Sequence, residues 1–386
     1  MIDRRLLRAE IVYNGLGTPR TEGAVAVQQI GAEQTVIMVD KAQTVRESFP
    51  ELSESDVFFA ISPPPANAHT HLDLSHMPYL EVTYENFLRS VVAHTRAGHR
   101  GLEAAKSGVA ELLESGIDVV GDIVTSEQVM EYLLQHPRLR GVAYWEVVSL
   151  DPVEADRVFD DTVKRLEAFR TLERPGGVKV GLSPHSPHTV STVLMTRFAA
   201  LSRRLNLPMQ IHVAESPHEV ALHRDGSGPL MEMLRTFYPA WQPSGRRPVD
   251  YLKHIGVLEA RPTLVHMVHV TEEDVREVQR AGCVVVHCPR SNRALDCGRF
   301  PWELYGKHGV TVGFGSDSRG SSPSLSIEDE VAFARGLHAE KANVGSLVRA
   351  AVKGGHRALG LTPPRFVRGD AAEGLHLWRR RLPSGG

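Results

Sequence analysis

Eight short apolar runs, each followed by a longer stretch, constrain this chain more than any other feature. They are PPANAHTH (64–71), DVVGDIV (118–124), GVAYWEVVS (141–149), VKVGLSPHS (178–186), PMQIHVAE (208–215), PTLVHMVH (262–269), CVVVHCP (283–289) and VTVGFGSD (310–317). The stretches between them include GLEAAKSGVAELLESG (101–116) and TEEDVREVQRAG (271–282). There the apolar residues recur at three- and four-residue spacing and a glycine closes the end, which is the pattern of a helix with one buried face. Strands alternating with helices make a parallel β/α topology. Eight such units close a barrel of about 250 residues, and the segment 61–320 supplies that length.

The ends of the chain read differently. Residues 1–60 carry alternating runs, LLRAEIVYN, GAVAVQQI and QTVIMVD, separated by Gly and Asn. These are β-strands of a small sheet. After residue 363, PPRFVRGDAAEGLHLWR reads as a strand returning to that sheet, and the tail RRRLPSGG (379–386) as frayed. YPAWQPSGRRPVD (238–250) reads as a surface excursion.

Polar residues gather at the C-terminal ends of the eight runs. His69 and His71 end the first, and His185 ends the fourth. His212 and Glu215 come at the end of the fifth, His266 and His269 end the sixth, His287 the seventh and Asp317 the eighth. In a β/α barrel all these ends meet at one rim, where such enzymes place their chemistry. Residues i and i+2 of a strand share a face, so His69 and His71 can both point into the mouth. With His212 and Asp317 they make an N3O set for a divalent metal, with room for a water. Singly these residues say little: His-x-His occurs by chance, a lone core histidine is common, and Asp317 in GSDS could cap a helix. The argument lies in their joint occurrence at one rim.

Composition excludes several other classes. The net charge of -2 gives no electrostatic case for nucleic acid or an acidic membrane surface. No apolar run reaches the ~18–20 residues of a spanning helix, and MIDRRLLRAEIVYN has no apolar signal core. Three cysteines without a CxxC pair fit a reducing cytoplasm. The His-x-Glu and PCxxC ligands of cytidine-deaminase-type sites and the HExxH of zinc proteases are absent. A homodimer, the commonest closed assembly, is left open.

The stretches NAHTHLDLS (67–75), PHSPHTVS (184–191), IHVAES (211–216), LVHMVHV (264–270), HCPRSN (287–292) and GFGSDS (313–318) resemble the amidohydrolase superfamily, in its deaminase and chlorohydrolase branch. The resemblance implies an α/β fold: a (β/α)8 TIM-type barrel over 61–362, with a small β-sandwich built from 1–60 and 363–386. It implies that His69, His71, His212 and Asp317 hold one divalent ion, Zn2+ with Fe2+ as the alternative. Glu215 is implied as the acid/base that protonates a substrate ring nitrogen. His266 is implied as the partner of the attacking water, with His269 its rival, and His185 as a substrate contact. Binuclear members use a carboxylated lysine at the end of strand four. Here that end reads SPHSPH, and the nearby Lys179 is at the strand's start, so one metal is expected.

Within the branch, HTHLDLSH (69–76), VGDIV (120–124), ESPHEVALHRDGSGPL (215–230) and RPVDYLKHIGVL (247–258) are similar to aminodeoxyfutalosine deaminases. That similarity implies removal of the 6-amino group from an adenine nucleoside bearing a carboxyphenyl ketone, a step of menaquinone biosynthesis. The alternatives are deamination of S-adenosylhomocysteine, methylthioadenosine or guanine, or hydrolysis of an amide ring or a carbon–chlorine bond. A carboxylate on the substrate calls for an arginine fork, and Arg290 or Arg293, just after strand seven, are candidates. His287 lines the pocket or buttresses the ligands, Trp145 and Glu146 touch substrate or pack at the rim, and Cys288 is a packed thiol. His94, His99 and His254 read as surface residues.

Overall fold

The computed structural model describes residues 2–379, without the side chains of residues 2, 55 and 56. Most of the tail, 380–386, lies outside the described residues.

Each of the eight runs contains one strand. β1–β4 belong to the N-terminal region: Ile2–Val12, Arg20–Ile30, Glu33–Lys41 and Ser53–Ser62. The eight that follow are β5 (Asn67–Thr70), β6 (Val119–Val124), β7 (Arg140–Val147), β8 (Val178–Pro184), β9 (Gln210–Val213), β10 (Thr263–His266), β11 (Val284–His287) and β12 (Val312–Phe314). They form two parallel four-stranded sheets, β5-β6-β7-β8 and β9-β10-β11-β12. The sheets meet at both edges. Leu182 N–H bonds the carbonyl of Pro208 at 2.9 Å, and Asp317 N–H bonds that of His69 at 3.0 Å. The second of these seams draws the ends of the first and eighth strands together, and with them Asp317 and the His-x-His pair.

Helices cover the outer faces. Helix Glu272–Ala281 shows why: Thr271 and Asp274 form a reciprocal capping box, three acidic residues fill the first turn, and Gly282 ends it in the left-handed region. Helix Leu102–Glu114 buries Ala104, Ala105, Gly108, Val109 and Leu112, the stripe read from the sequence. Cys288 is packed, as expected, and burial pushes its thiol up.

The chain ends build one five-stranded sheet in the order β13-β4-β1-β2-β3, where β13 is His376–Trp378. One sheet is described where a sandwich was expected. Both of its faces are apolar. Ala24 and Ala26 of β2 pack with Leu6 and Val45, whereas Val25 and Val27 pack with Ala9, Ile61 and Phe366. Val45 belongs to a helix, Ala42–Ser48, which a reading of 1–60 as strands alone missed; it buries only that one residue, too little to show as periodicity.

Candidate active site

Four left-handed residues that are not glycine lie at the rim: Ala214, His266, Met267 and Asp317, with φ of 52°, 70°, 50° and 61°. Such backbone is costly for a side chain and persists where the surroundings fix it. Here it turns the chain out of its strands so that the end residues face inward.

The structure brings His69, His71, His212 and Asp317 together. Asp317 Oδ1 lies 3.6 Å from His69 Nε2 and 3.4 Å from His71 Nε2, and His212 Nε2 lies 3.4 Å from His71 Nε2. Zinc bonds of about 2.05 Å in a tetrahedron put ligand atoms about 3.3 Å apart, so the donors have the spacing of such a set. His69 Nε2 is buried without a hydrogen-bond partner among the described residues, as an atom reserved for an ion would be. Two of the imidazoles are oriented from behind. Gln210 Oε1 holds His69 Nδ1 at 2.6 Å, and the carbonyl of His185 holds His212 Nδ1 at 3.0 Å. This is the usual way a protein sets the tautomer of a metal-binding histidine.

Burial lowers His71 and His212 well below the ordinary histidine range, the latter helped by its neighbouring imidazoles. Neutral imidazole is the form that binds a metal. Burial alone would raise Asp317, but the imidazoles of His69 and His71 outweigh it and hold the carboxyl well below its usual range. Its other oxygen accepts from Ser291 at 2.6 Å and Ser321 at 3.2 Å.

Glu215 and His266 share this rim. His266 Nε2 is 3.5 Å from Glu215 Oε1, and its Nδ1 pairs with the Asn292 amide at 3.0 Å. Burial pushes His266 down to about 3. Glu215 is raised well above the carboxylate range, first by burial, then by the charges of Asp317 and Glu219. His269 points elsewhere: its Nε2 bonds the carbonyl of Cys297 and its own carbonyl accepts from Arg247. Of the two histidines, His266 is the one facing the cluster.

His185 lines the same cavity, its Nδ1 tied to Thr189 at 2.7 Å. Glu146 lines it as well, with one oxygen buried and unpartnered among the described residues. Leu74, Phe87, Leu88, Val91 and Leu295 give the mouth apolar walls. Arg290 is not there. Its Nε bonds the fully buried Glu330 at 2.7 Å and its Nη2 the carbonyl of Ser324 at 2.7 Å. Glu330 is fully buried and Arg290 is committed to it, so the expectation of a substrate contact is corrected. Arg293 is exposed and outside the cavity wall. The arginine that does line it is Arg100, bound to Asp73 at 2.8 Å through Nε, with Nη2 buried and unpartnered among the described residues. Sequence reasoning passed over Arg100 because it sits in a loop, GHRG, far from any strand end. His287 is a buttress, stacked on Phe300 at 4.1 Å and paired with His338.

Comparison with known proteins agrees with this geometry. Residues 61–364 match the family model described as Amidohydrolase family. The chain is 42% identical over 97% of its length to aminodeoxyfutalosine deaminase of Deinococcus radiodurans, 90% of which is covered. It is 27% identical to 5-methylthioadenosine/S-adenosylhomocysteine deaminase of Pyrococcus abyssi, over 70% of this chain and 61% of that one. Among solved structures, Helicobacter pylori aminofutalosine deaminase in complex with methylthio-coformycin superposes with a TM-score of 0.74 at 20% identity, covering 98% of this chain and 93% of that one. A zinc-bound adenosine deaminase from Xanthomonas campestris gives 0.68 at 23% identity, with coverage of 95% and 83%. A family match across the whole β/α region, and a near full-length relative beyond it, make this chain a member of the amidohydrolase family.

Proposed function

We propose that the protein is a metal-dependent hydrolytic deaminase whose substrate is 6-aminodeoxyfutalosine, converted to futalosine and ammonia. The observation that carries the chemistry is the buried Glu215, its carboxyl raised well above the ordinary range, beside the His69–His71–His212–Asp317 set. The 42% identity over nearly the whole chain supports the substrate. In this reading 61–362 is a (β/α)8 barrel flanked by 1–60 and 363–386, and the protein works in the cytoplasm on a small nucleoside.

One ion, zinc rather than iron, is held by His69, His71, His212 and Asp317. When bound, such an ion lowers the pKa of a water toward ~7 and so supplies a nucleophile at neutral pH. The rest is done by side chains. Glu215, whose hold on a proton burial strengthens well beyond that of an ordinary carboxylate, delivers one to the ring nitrogen next to the amino-bearing carbon, so that negative charge does not build there during attack. His266, neutral through burial, accepts from the Asn292 amide at Nδ1, so its Nε2 carries the proton and orients the water by donating a hydrogen bond to its oxygen. Asp317, held as a carboxylate, takes the water's proton and returns it to the departing amine. The apolar walls hold the purine flat against the cluster, and His185 and Glu146 meet its polar edges or its sugar.

The test is turnover in 18O-enriched water with zinc-loaded enzyme. The account requires ammonia release and a purine product carrying solvent oxygen at the former amino carbon. Zinc-loaded protein that releases chloride from a chlorotriazine, or opens an amide ring, and leaves the aminopurine intact would replace this reading with the other hydrolase chemistry of the fold.

A further inference from the structure

A second group of donors lies behind Glu215, outside the site described above. His188, in the loop after β8, meets Glu219 and His223 of helix Pro217–Asp225. Glu219 and His223 are four residues apart and so project from one face of that helix. One ligand atom from each of the three residues lies within 4.8 Å of the other two, and His188 Nδ1 is 3.9 Å from Glu219 Oε1. All three are buried, at 2%, 1% and 1% exposure.

Their polar atoms are poorly spent. Glu219 Oε2 accepts the Glu215 N–H at 2.8 Å, but Oε1 has no hydrogen-bond partner among the described residues, and neither has His223 Nε2. His223 uses its other nitrogen on Ser244, at 3.3 Å, and His188 Nδ1 faces Ser186 at 3.2 Å. A buried carboxylate oxygen and a buried imidazole nitrogen left facing each other are costly unless something joins them. Burial pushes His223 down to about 3, so its ring is neutral and has one lone pair to offer. His223 also forms part of the wall of a cavity of about 450 Å3 lined by Tyr238, Trp241 and Tyr251, which gives an ion a route in.

We infer that His188, Glu219 and His223 form a second divalent-metal site, of the zinc type, distinct from the catalytic set. Two imidazoles and one carboxylate with a water are an ordinary zinc donor set, and a small contraction brings the donors to bonding distance. An ion there ties the loop after β8 to the helix that follows Glu215. It also fixes, through Glu219 Oε2, the backbone that carries Glu215. Its role is structural: none of its ligands lines the substrate cavity.

The experiment is zinc counting by native mass spectrometry on the full chain, stripped of metal and then given zinc alone. Wild type is expected to hold two ions. His188→Phe and His223→Phe should each hold one, and the double variant His71→Ala/His212→Ala should keep one. A single ion in wild type, or two ions in both phenylalanine variants, overturns the inference. Should those variants fail to fold, zinc anomalous scattering from wild-type crystals decides. A peak between His188, Glu219 and His223 supports the site; a second peak anywhere else, or none, rejects it.

Discussion

Gln210 faces the same way as His212 because the two are two residues apart on β9, and its amide bridges His69 Nδ1 to the carbonyl of Ala68 at 2.6 and 3.1 Å. Gln210→Leu removes that support without touching a ligand. Zinc affinity should fall about 10–100-fold, read by competition with a chelator. Glu215→Gln keeps the shape and removes the proton. It should lower kcat by roughly 10²–10⁴-fold with the zinc content unchanged; near-full turnover would remove Glu215 from the reaction. His338, 1% exposed beside Trp302 and His287, gives a pH effect. Burial pushes it down to about 4, against 6.5 in the unfolded chain. Between those values the unfolded state binds the proton, so the stabilisation is complete above pH 6.5 and is lost as pH falls toward 4. Denaturant titrations of His338→Gln should show an acid limb shallower than wild type by about 3 kcal/mol over that window. At this scale the sequence was informative where a strand or its immediate end aims a side chain, as for His69 and His212 in their strands and His71 one residue past β5. It was silent for Arg100, which a loop delivers, and misleading for Arg290, whose buried partner Glu330 is forty residues away along the chain.

Strand ends, rather than strand middles, carry the site. β5, β9, β10 and β11 have four residues each and β12 has three. That is too short for an alternating pattern, and they were legible because each is a compact apolar run between turn signals. The left-handed residues at the rim were not legible, since nothing local distinguishes Ala214 or His266 from ordinary strand residues; neighbouring strands impose those angles. Close approach shows at Gly354, in the widened turn Ala350–Gly354 that packs on β12. A Cβ there would come to 1.8 Å from the carbonyl of Val312. Gly354→Ala must therefore push helix and strand apart. An unfolding free energy lower by about 3 kcal/mol or more is expected from chemical denaturation, whereas a change within experimental error would mean the two elements are free to separate.

The two ends of the chain meet in the small sheet. β13 pairs with β4, and Trp378, fully buried, donates from its indole to Ser62 at 2.8 Å. β4 ends at Ser62, five residues before β5, so this clasp bears on the strand that supplies His69. No helix among the described residues is long and apolar enough to cross a membrane. The order of eight strands and the rim that collects their ends were open to sequence reasoning, because both follow from alternation and chain direction. The arrangement of the small sheet was not, because it depends on how the two ends of the chain meet. The substrate is a property at this scale too, set by the cavity as a whole. The most direct test is kcat/KM of zinc-loaded protein on aminodeoxyfutalosine, adenosine, S-adenosylhomocysteine, methylthioadenosine and guanine, followed by the absorbance change of deamination. The account predicts a clear preference for aminodeoxyfutalosine. Equal rates on the simpler nucleosides would remove that substrate, and no deamination of any of them with zinc bound would contradict the deaminase itself.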